Sequence, residues 1–322
     1  MKIDVLMGGP GREAAVSRTS GAAVVAALVE RGHDVLAIDL PDRLEPARLR
    51  PGAVVFNVIH GTYGEDGTLQ GELDTLEKSY VGSDAAVSRR CMNKQATKDL
   101  LSAAGIRVPW GVAVDLAVPF RPSDLKLPHH AGLVLKPRDD GSSVGLKIVA
   151  NPSFVLPAVE ELLREVGPRP YLIEERLPGP EYTVAVVALG DPGPADSGPT
   201  GSGPAPVALP PLHILPGGGI FDYAAKYQRD DTIEEVVPDP ALAARLAALG
   251  VAAYRAAGCR DLARIDVMAT ADGDLAVLEI NTLPGMTGRS LTPLAARAAG
   301  IPFPELCQRL AARAWARQAT QR

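Results

Sequence analysis

The sequence predicts a mixed chain, a parallel α/β unit followed by two blocks of α+β character. Three observations predict it. Strand-like and helix-like stretches alternate over residues 1–84, the rhythm changes to paired strands after that point, and the last third carries an Asp-Gly hairpin signal at Asp272-Gly273. A chain of 322 residues is also too long for one compact core. The expected division is 1–84, 85–178 and 179–322.

Composition narrows the function classes. Apolar residues make up 46% and charged residues 22%, as in ordinary globular proteins. The net charge of −5, from 33 basic and 38 acidic residues, lacks the basic footprint of a nucleic-acid binder. Anionic ligands must therefore be held by local positive charge. Cys91, Cys259 and Cys307 are scattered without metal-ligand spacing, which argues for plain thiols in a reducing compartment. No apolar run is long enough for a membrane span, and the N-terminal run is too short and too punctuated for a signal segment. A cytoplasmic location is expected.

The elements follow in order. "KIDVLMGG" reads as a strand, "AAVSRTSGAAVVAALVERG" as a helix closed by Gly32, "DVLAIDL" and "AVVFNVIHG" as further strands, and "TLQGELDTLEKS" as a helix. "SRRCMNKQATKDLLSAAG" reads as one helix ended by Gly105, and "IRVPWGVAV" as a strand. "GLVLKPRDDGSSVGLKIV" is two strands around a Gly-Ser loop, "SFVLPAVEELLREV" a helix, and "YLIEERL" and "PEYTVAVVALG" strands. "GDPGPADSGPTGSGPAP" is too rich in Gly, Pro and Ser to pack a core and reads as a loop. A long helix, "PALAARLAALGVAAYRAAG", precedes the hairpin, and two helices finish the chain.

The hairpin "ARIDVMATADGDLAVLEIN" poses a chemical problem. Centred on Asp272-Gly273 with a two- or four-residue loop, it pairs Asp266 with Glu279 and Arg264 with Asn281, all on one face. Carboxylates facing each other across a ladder repel, and burial makes this worse. Two readings are open. The face is solvated and Arg264 neutralises the acids, or a hard divalent cation such as Mg²⁺ sits on the Asp, Glu and Asn oxygens together with a ligand's phosphates. "TLPGMTGRSL" then begins a helix at Ser290, whose free N–H groups can receive an anion.

Other stretches are less specific. "KPRDDGSSVG" offers backbone and hydroxyl donors with Lys136 at its base, as a phosphate cover or as an ordinary hairpin loop. It is not a Walker A motif. Glu174 and Glu181 in "LIEERLPGPEYTV", and Lys94 and Lys226, are each unremarkable singly, and a lone His such as His60 is more often structural.

Taken together and in order, "MGGPGREAAVS", "HGTYGEDGTLQGELD", "MNKQATK", "LKPRDDGSSVG", "IEERLPGPEYTV", "FDYAAKY", "ARIDVM" and "LEINTLPGMTGRSL" resemble the D-alanine–D-alanine ligase family of ATP-grasp enzymes over essentially the whole chain. The resemblance implies an N-terminal Rossmann-like parallel-sheet domain followed by a two-subdomain ATP-grasp fold, with ATP between the subdomains. It implies ATP-dependent joining of two D-alanines through an acyl phosphate, and two Mg²⁺ ions, with Mn²⁺ able to substitute, on Asp266, Glu279 and Asn281. By the same resemblance Lys94, Lys136 and Lys226 touch phosphates, Ser143 lies in the loop covering them, Glu174 and Glu181 hold adenine and ribose, and Leu177 lies against the base.

It further implies that Arg264 and the Gly285 N–H stabilise the tetrahedral oxyanion, that Glu13 receives the first substrate's ammonium near His60, and that Ser290 and Leu291 hold the second substrate's carboxylate. Tyr227, linked with Glu13 and Ser142, is the family's mark of dipeptide synthesis. A homodimer is implied, with no nucleic-acid or membrane partner. The chain departs from the family at Ala14 and Ala15, beside the substrate acid, and at Glu175 and Arg176, near adenine. The alternatives are a ligase with another acceptor such as D-serine, and a nucleotide-binding regulator without catalysis. No metal ligand is missing, which speaks against the regulator.

Overall fold

The computed structural model describes residues 1–128, 132–141, 145–190, 204–215 and 232–320. Ser142, Ser143, Lys226, Tyr227 and most of the Gly/Pro-rich insert lie outside them. Within the described residues the chain builds three sheets, one after another in sequence.

In the first sheet β1 (Lys2–Gly8) lies between β2 (Asp34–Leu40) and β3 (Val54–Asn57), all parallel. Period-two alternation buries both faces, as a covered parallel sheet requires. Ile3, Val5 and Met7 share a core with Val24 and Leu28 of α1 (Ala14–Glu30). Leu6 of the opposite face packs with Leu69 and Leu73 of α2 (Thr68–Thr75). Ser17 pins the β1–α1 turn: its Oγ accepts from the Gly8 N–H at 2.9 Å and donates to the Val58 carbonyl at 2.7 Å. The strands' carboxyl ends therefore open on one edge, where ligands of open α/β sheets bind.

The single helix expected over residues 88–105 is two helices, α3 (Ala85–Met92) and α4 (Lys94–Ala103). Asn93 separates them with an extended backbone, φ −81° and ψ 101°, and its side chain accepts from the Ala96 N–H. An Asn that can cap locally competes with helix continuation. The break aims the first turn of α4, and Lys94 with it, at the cleft.

The second sheet has the order β4 (Gly111–Asp115), β7 (Pro170–Glu175), β5 (Leu133–Pro137), β6 (Lys147–Val149), all antiparallel. β4 starts later than "IRVPWGVAV" suggests. Pro109 has no N–H to give a ladder. α5 (Val155–Glu165) covers the face carrying Leu133, Leu135, Tyr171 and Ile173. The other face carries Val134, Lys136, Ile148 and Glu174 into the cleft.

In the third sheet β8 (Glu181–Val187), paired at one end by β9 (Val207–Ala208), lies between β12 (Leu262–Ala269) and β10 (Leu212–Leu215). β11 (Ile233–Val236) and β13 (Leu275–Asn281) form its edges. β9, β10 and β11 are too short or too masked by polar residues for the sequence pattern to show them. α6 (Pro240–Ala257) covers one face through Leu246, Ala253 and Tyr254. α7 (Leu291–Ala298) and α8 (Phe303–Thr320) end the chain, and α8 buries Leu306, Leu310 and Ala314 in the core of the first sheet.

Candidate active site

The hairpin of β12 and β13 has the expected pairing where it matters, Arg264 opposite Asn281 and Asp266 opposite Glu279. Nearer the turn it does not. Residues 270–274 separate the last pair, Ala269 and Leu275, and Val267 faces Val277. Leu278 is the extra residue of a bulge that absorbs the offset. The bulge turns Leu278 and Glu279 into the same pocket, which strict alternation forbids.

The four polar side chains are not a bare repulsive face. Arg264 forks onto Asp266, Nε to Oδ1 at 2.9 Å and Nη2 to Oδ2 at 2.7 Å, with side chains only 11% and 9% exposed. Thr183, opposite Asp266 on β8, donates its hydroxyl to Oδ1 at 2.7 Å. Asn281 Oδ1 accepts from the Leu283 N–H at 2.9 Å, and Glu279 Oε2 lies 3.6 Å from Lys94 Nζ. The neutralising role of Arg264 is thus real for Asp266, whose side chain is buried and not solvated.

A cation still fits. Among the described residues Asp266 Oδ2 and Asn281 Oδ1 each accept one hydrogen bond and keep a lone pair, and Glu279 adds a carboxylate. Hard oxygens suit Mg²⁺. Among the described residues no three His, Cys, Asp or Glu side chains converge on a metal position. A cation here depends on two carboxylates, one amide and oxygens brought by a ligand.

Two pockets meet at this hairpin and share Lys94, Asp140, Gly141 and Glu279 as a common wall. One is lined by the apolar Val134, Leu146, Ile148, Leu177, Met268 and Leu278 together with the polar Lys136, Glu174, Glu181 and Asp266. The other is mostly polar: Glu13, His60, Glu65, Arg264, Asn281, Gly285, Ser290 and Leu291 line it. Every described residue to which the resemblance gives a binding, catalytic or metal role therefore lies in one pocket or the other.

Their settings differ. Lys94, the first residue of α4, donates to the Asp140 carbonyl, and burial pulls its ammonium pKa down despite the neighbouring Glu279. Glu174 is buried between two lysines, Lys98 Nζ at 2.5 Å and Lys136 Nζ at 2.6 Å. Burial alone pushes a carboxyl up, but the lysines outweigh it and hold Glu174 below its ordinary value. Burial lowers Lys98, whereas for Lys136 the attraction of Glu174 and Glu279 exceeds the burial effect and the value rises.

His60 is held on both sides, Nδ1 3.1 Å from Glu65 Oε1 and Nε2 3.3 Å from Ser20 Oγ. Glu13 caps α1 by position, and its carboxylate lies against Gly61, where a Cβ would come within 2.6 Å of Oε2. Ala14 and Ala15 line neither pocket, so their small size does not alter the cleft wall. Ser290 precedes α7, yet its Oγ accepts from the Thr287 N–H at 3.0 Å instead of capping the helix. The first-turn N–H groups of α7, including that of Leu291, thus have no serine cap. A Cβ on Gly285 would lie 2.8 Å from Ser290 Oγ, so a side chain there would displace that hydroxyl.

Sequence reasoning missed Lys98, Glu65, Asp140, Glu234 and Arg289, the last four of which line the polar pocket. Lys98 had a signal in its four-residue spacing from Lys94, which stacks both on one helix face. Glu65 had one in "HGTYGED". Glu234, whose carboxyl burial pushes up, sits on an edge strand that the pattern did not show.

Comparison with known proteins decides the family. Two family sequence models match, described as "D-ala D-ala ligase N-terminus" over residues 39–83 and "D-ala D-ala ligase C-terminus" over residues 123–312. The chain belongs to the D-alanine–D-alanine ligase family. The D-alanine–D-alanine ligase of Moorella thermoacetica is 39% identical over 320 residues, covering 96% of this chain and 98% of the relative. Two crystal structures of the D-alanine–D-alanine ligase of Bacillus anthracis, the second complexed with ATP, are 32% and 31% identical, with TM-scores of 0.82 and 0.81, covering 100% of this chain and 100% and 99% of those chains. The VanG D-Ala:D-Ser ligase of Enterococcus faecalis is 25% identical, with a TM-score of 0.77 and 96% and 98% coverage. The two-lobed ATP-grasp architecture after a parallel-sheet domain is thereby established for this chain.

Proposed function

We propose that this protein joins two D-alanine molecules into D-alanyl-D-alanine at the expense of ATP, providing the dipeptide for peptidoglycan precursors. One observation carries the reading: the pocket holding Lys136, Leu177 and Glu181 and the pocket holding Glu13, His60 and Ser290 share one wall of Lys94, Asp140, Gly141 and Glu279. A phosphoryl donor in the first and a carboxylate acceptor in the second would meet at that wall. Family membership supports the substrates.

The chemistry has two steps. A carboxylate oxygen of the first D-alanine attacks the γ-phosphorus, and ADP leaves. The amine of the second D-alanine then attacks the acyl carbonyl, and phosphate leaves. Lys94 and Lys136 offset the charge of the phosphate chain. Glu181 holds the ribose, Leu177, Met268 and Leu278 pack the base, and Glu13 with His60 orients the first D-alanine. Arg264 and the Gly285 N–H face the oxygen that gains charge, and one such donor contributes roughly 3 kcal/mol. The N-terminus of α7, with Ser290 and Leu291, holds the second carboxylate. Mg²⁺ on Asp266, Glu279 and Asn281 neutralises the terminal phosphates when bound. Ser142, Ser143, Lys226 and Tyr227 belong to the same proposal by resemblance. So do a homodimer and a cytoplasmic location; among the described residues no helix is long and apolar enough to cross a membrane.

The test is phosphate release with ATP and a panel of D-amino acids, with the product identified by mass. D-Alanine alone should sustain turnover and give the dipeptide. Turnover only with a second acceptor such as D-serine, or none with any, would overturn the reading.

A further inference from the structure

We propose that Lys98 is a positioning residue that frees Lys136 for the nucleotide's phosphates by keeping Glu174 neutralised. The inference rests on the proposed reading of the pocket lined by Lys136, Glu174 and Leu177 as the ATP site.

Glu174 stands at the centre of the second sheet, paired with Gly111 of β4 on one side and Val134 of β5 on the other. Its two oxygens are divided. Oε1 takes Lys98 from α4, and Oε2 takes Lys136 from β5. The side chains of Glu174, Lys98 and Lys136 are 4%, 5% and 11% exposed, so none is relieved by bulk water. Lys136 and Glu174 line the pocket, whereas Lys98 lines neither pocket. Lys98 therefore has no route to a ligand except through Glu174.

The slot for Lys98 is built into the sheet. A Cβ on Gly111 would lie 2.6 Å from Lys98 Nζ and 3.1 Å from Glu174 Cγ. Gly111 has no positive φ, so its backbone does not require glycine; the space does. The bare Cα on this edge strand lets the ammonium reach the carboxylate.

One carboxylate and two ammonium groups leave one positive charge over. A phosphate chain entering the pocket competes with Glu174 for Lys136. If Lys136 were the only partner, moving it would strand a buried anion beside an incoming polyanion, which is a severe penalty. With Lys98 in place, Glu174 keeps a full counter-charge while Lys136 turns to phosphate. Lys98 thus acts on nucleotide affinity without touching the nucleotide.

The experiment measures ATP binding by calorimetry and steady-state kinetics on the full chain, with thermal melting as the folding control. Lys98→Met should raise the Kd and KM for ATP roughly tenfold or more, with a much smaller change in KM for D-alanine. Gly111→Ala, which keeps every charge and crowds chiefly the end of Lys98, with Glu174 Cγ at 3.1 Å and the Ile173 carbonyl at 3.3 Å, should give a smaller defect of the same kind. Glu174→Gln, which by resemblance also loses a contact to the base, should weaken ATP binding by itself, and adding Lys98→Met to it should cost little more, because no anion then retains Lys136. A merely structural lysine predicts the reverse, additive losses and a general fall in kcat. Unchanged ATP affinity in Lys98→Met, or a full further loss when Lys98→Met is added to Glu174→Gln, overturns the proposal. Wild-type protein that binds no ATP would instead sink the reading of the pocket itself.

Discussion

Replacing Arg264 with Gln tests how the opposed acids of the hairpin are tolerated. Asp266 loses two charge-assisted bonds, at 2.9 and 2.7 Å, and among the described residues keeps the Thr183 hydroxyl. Both partners are about nine-tenths buried, so the surface value of an ion pair does not apply. Breaking a buried pair costs ~3–5 kcal/mol, and the surviving hydroxyl bond favours the lower end, ~3 kcal/mol. Asp266 also stands directly across from Glu279, so the variant site is more negative and should take up Mg²⁺ more tightly. Urea unfolding in chelator, then in saturating Mg²⁺, measures both effects. The expected result is a loss of ~3 kcal/mol in chelator, with a larger Mg²⁺-induced recovery in the variant than in wild type. A loss below ~1 kcal/mol, or equal Mg²⁺ shifts in the two proteins, would refute the argument that Arg264 is the internal counter-ion and the cation the external one.

Further outcomes follow from the same geometry. Glu279→Gln should cut ATP-dependent phosphate release at least ~100-fold while leaving the melting temperature nearly unchanged, since this side chain is about a third exposed. Glu174 is held below its ordinary value of 4.5, so the unfolded chain binds its proton first on acidification. Its contribution is therefore present above that value and lost as pH falls from 4.5 through the lower folded value, and Glu174→Gln should flatten the wild-type loss of stability in that window. Gly64→Ala should cost ~3 kcal/mol or more, measured by chemical denaturation, because a Cβ there would lie 1.8 Å from the Ile59 carbonyl oxygen and backbone cannot step aside.

Much of the site was legible from residue order. Asp266 and Glu279 could be paired from the turn alone, because strand side chains alternate with a fixed period and Asp-Gly marks the reversal. Leu278 could not, because a bulge breaks that period and nothing in "DLAVLEIN" announces it. The neutralisation of Asp266 was likewise open, since Thr183 comes from a strand far away in sequence. In the helices, Lys94 was visible as one of several lysines, but the cap at Asn93 that aims it at the cleft was read as helix interior.

Sequence by itself determined the alternation of the N-terminal unit, the hairpin face and the ordered set of motifs, because these depend on local periodicity and on residues close along the chain. Only the tertiary structure decided that Lys98 and Lys136 divide one buried carboxylate, that Arg264 spends its fork on Asp266, and that two pockets share a wall at Lys94 and Glu279. Those facts depend on which side chains meet out of water when separate sheets close together. Electrostatics is strong there, and spacing along the sequence carries no record of it.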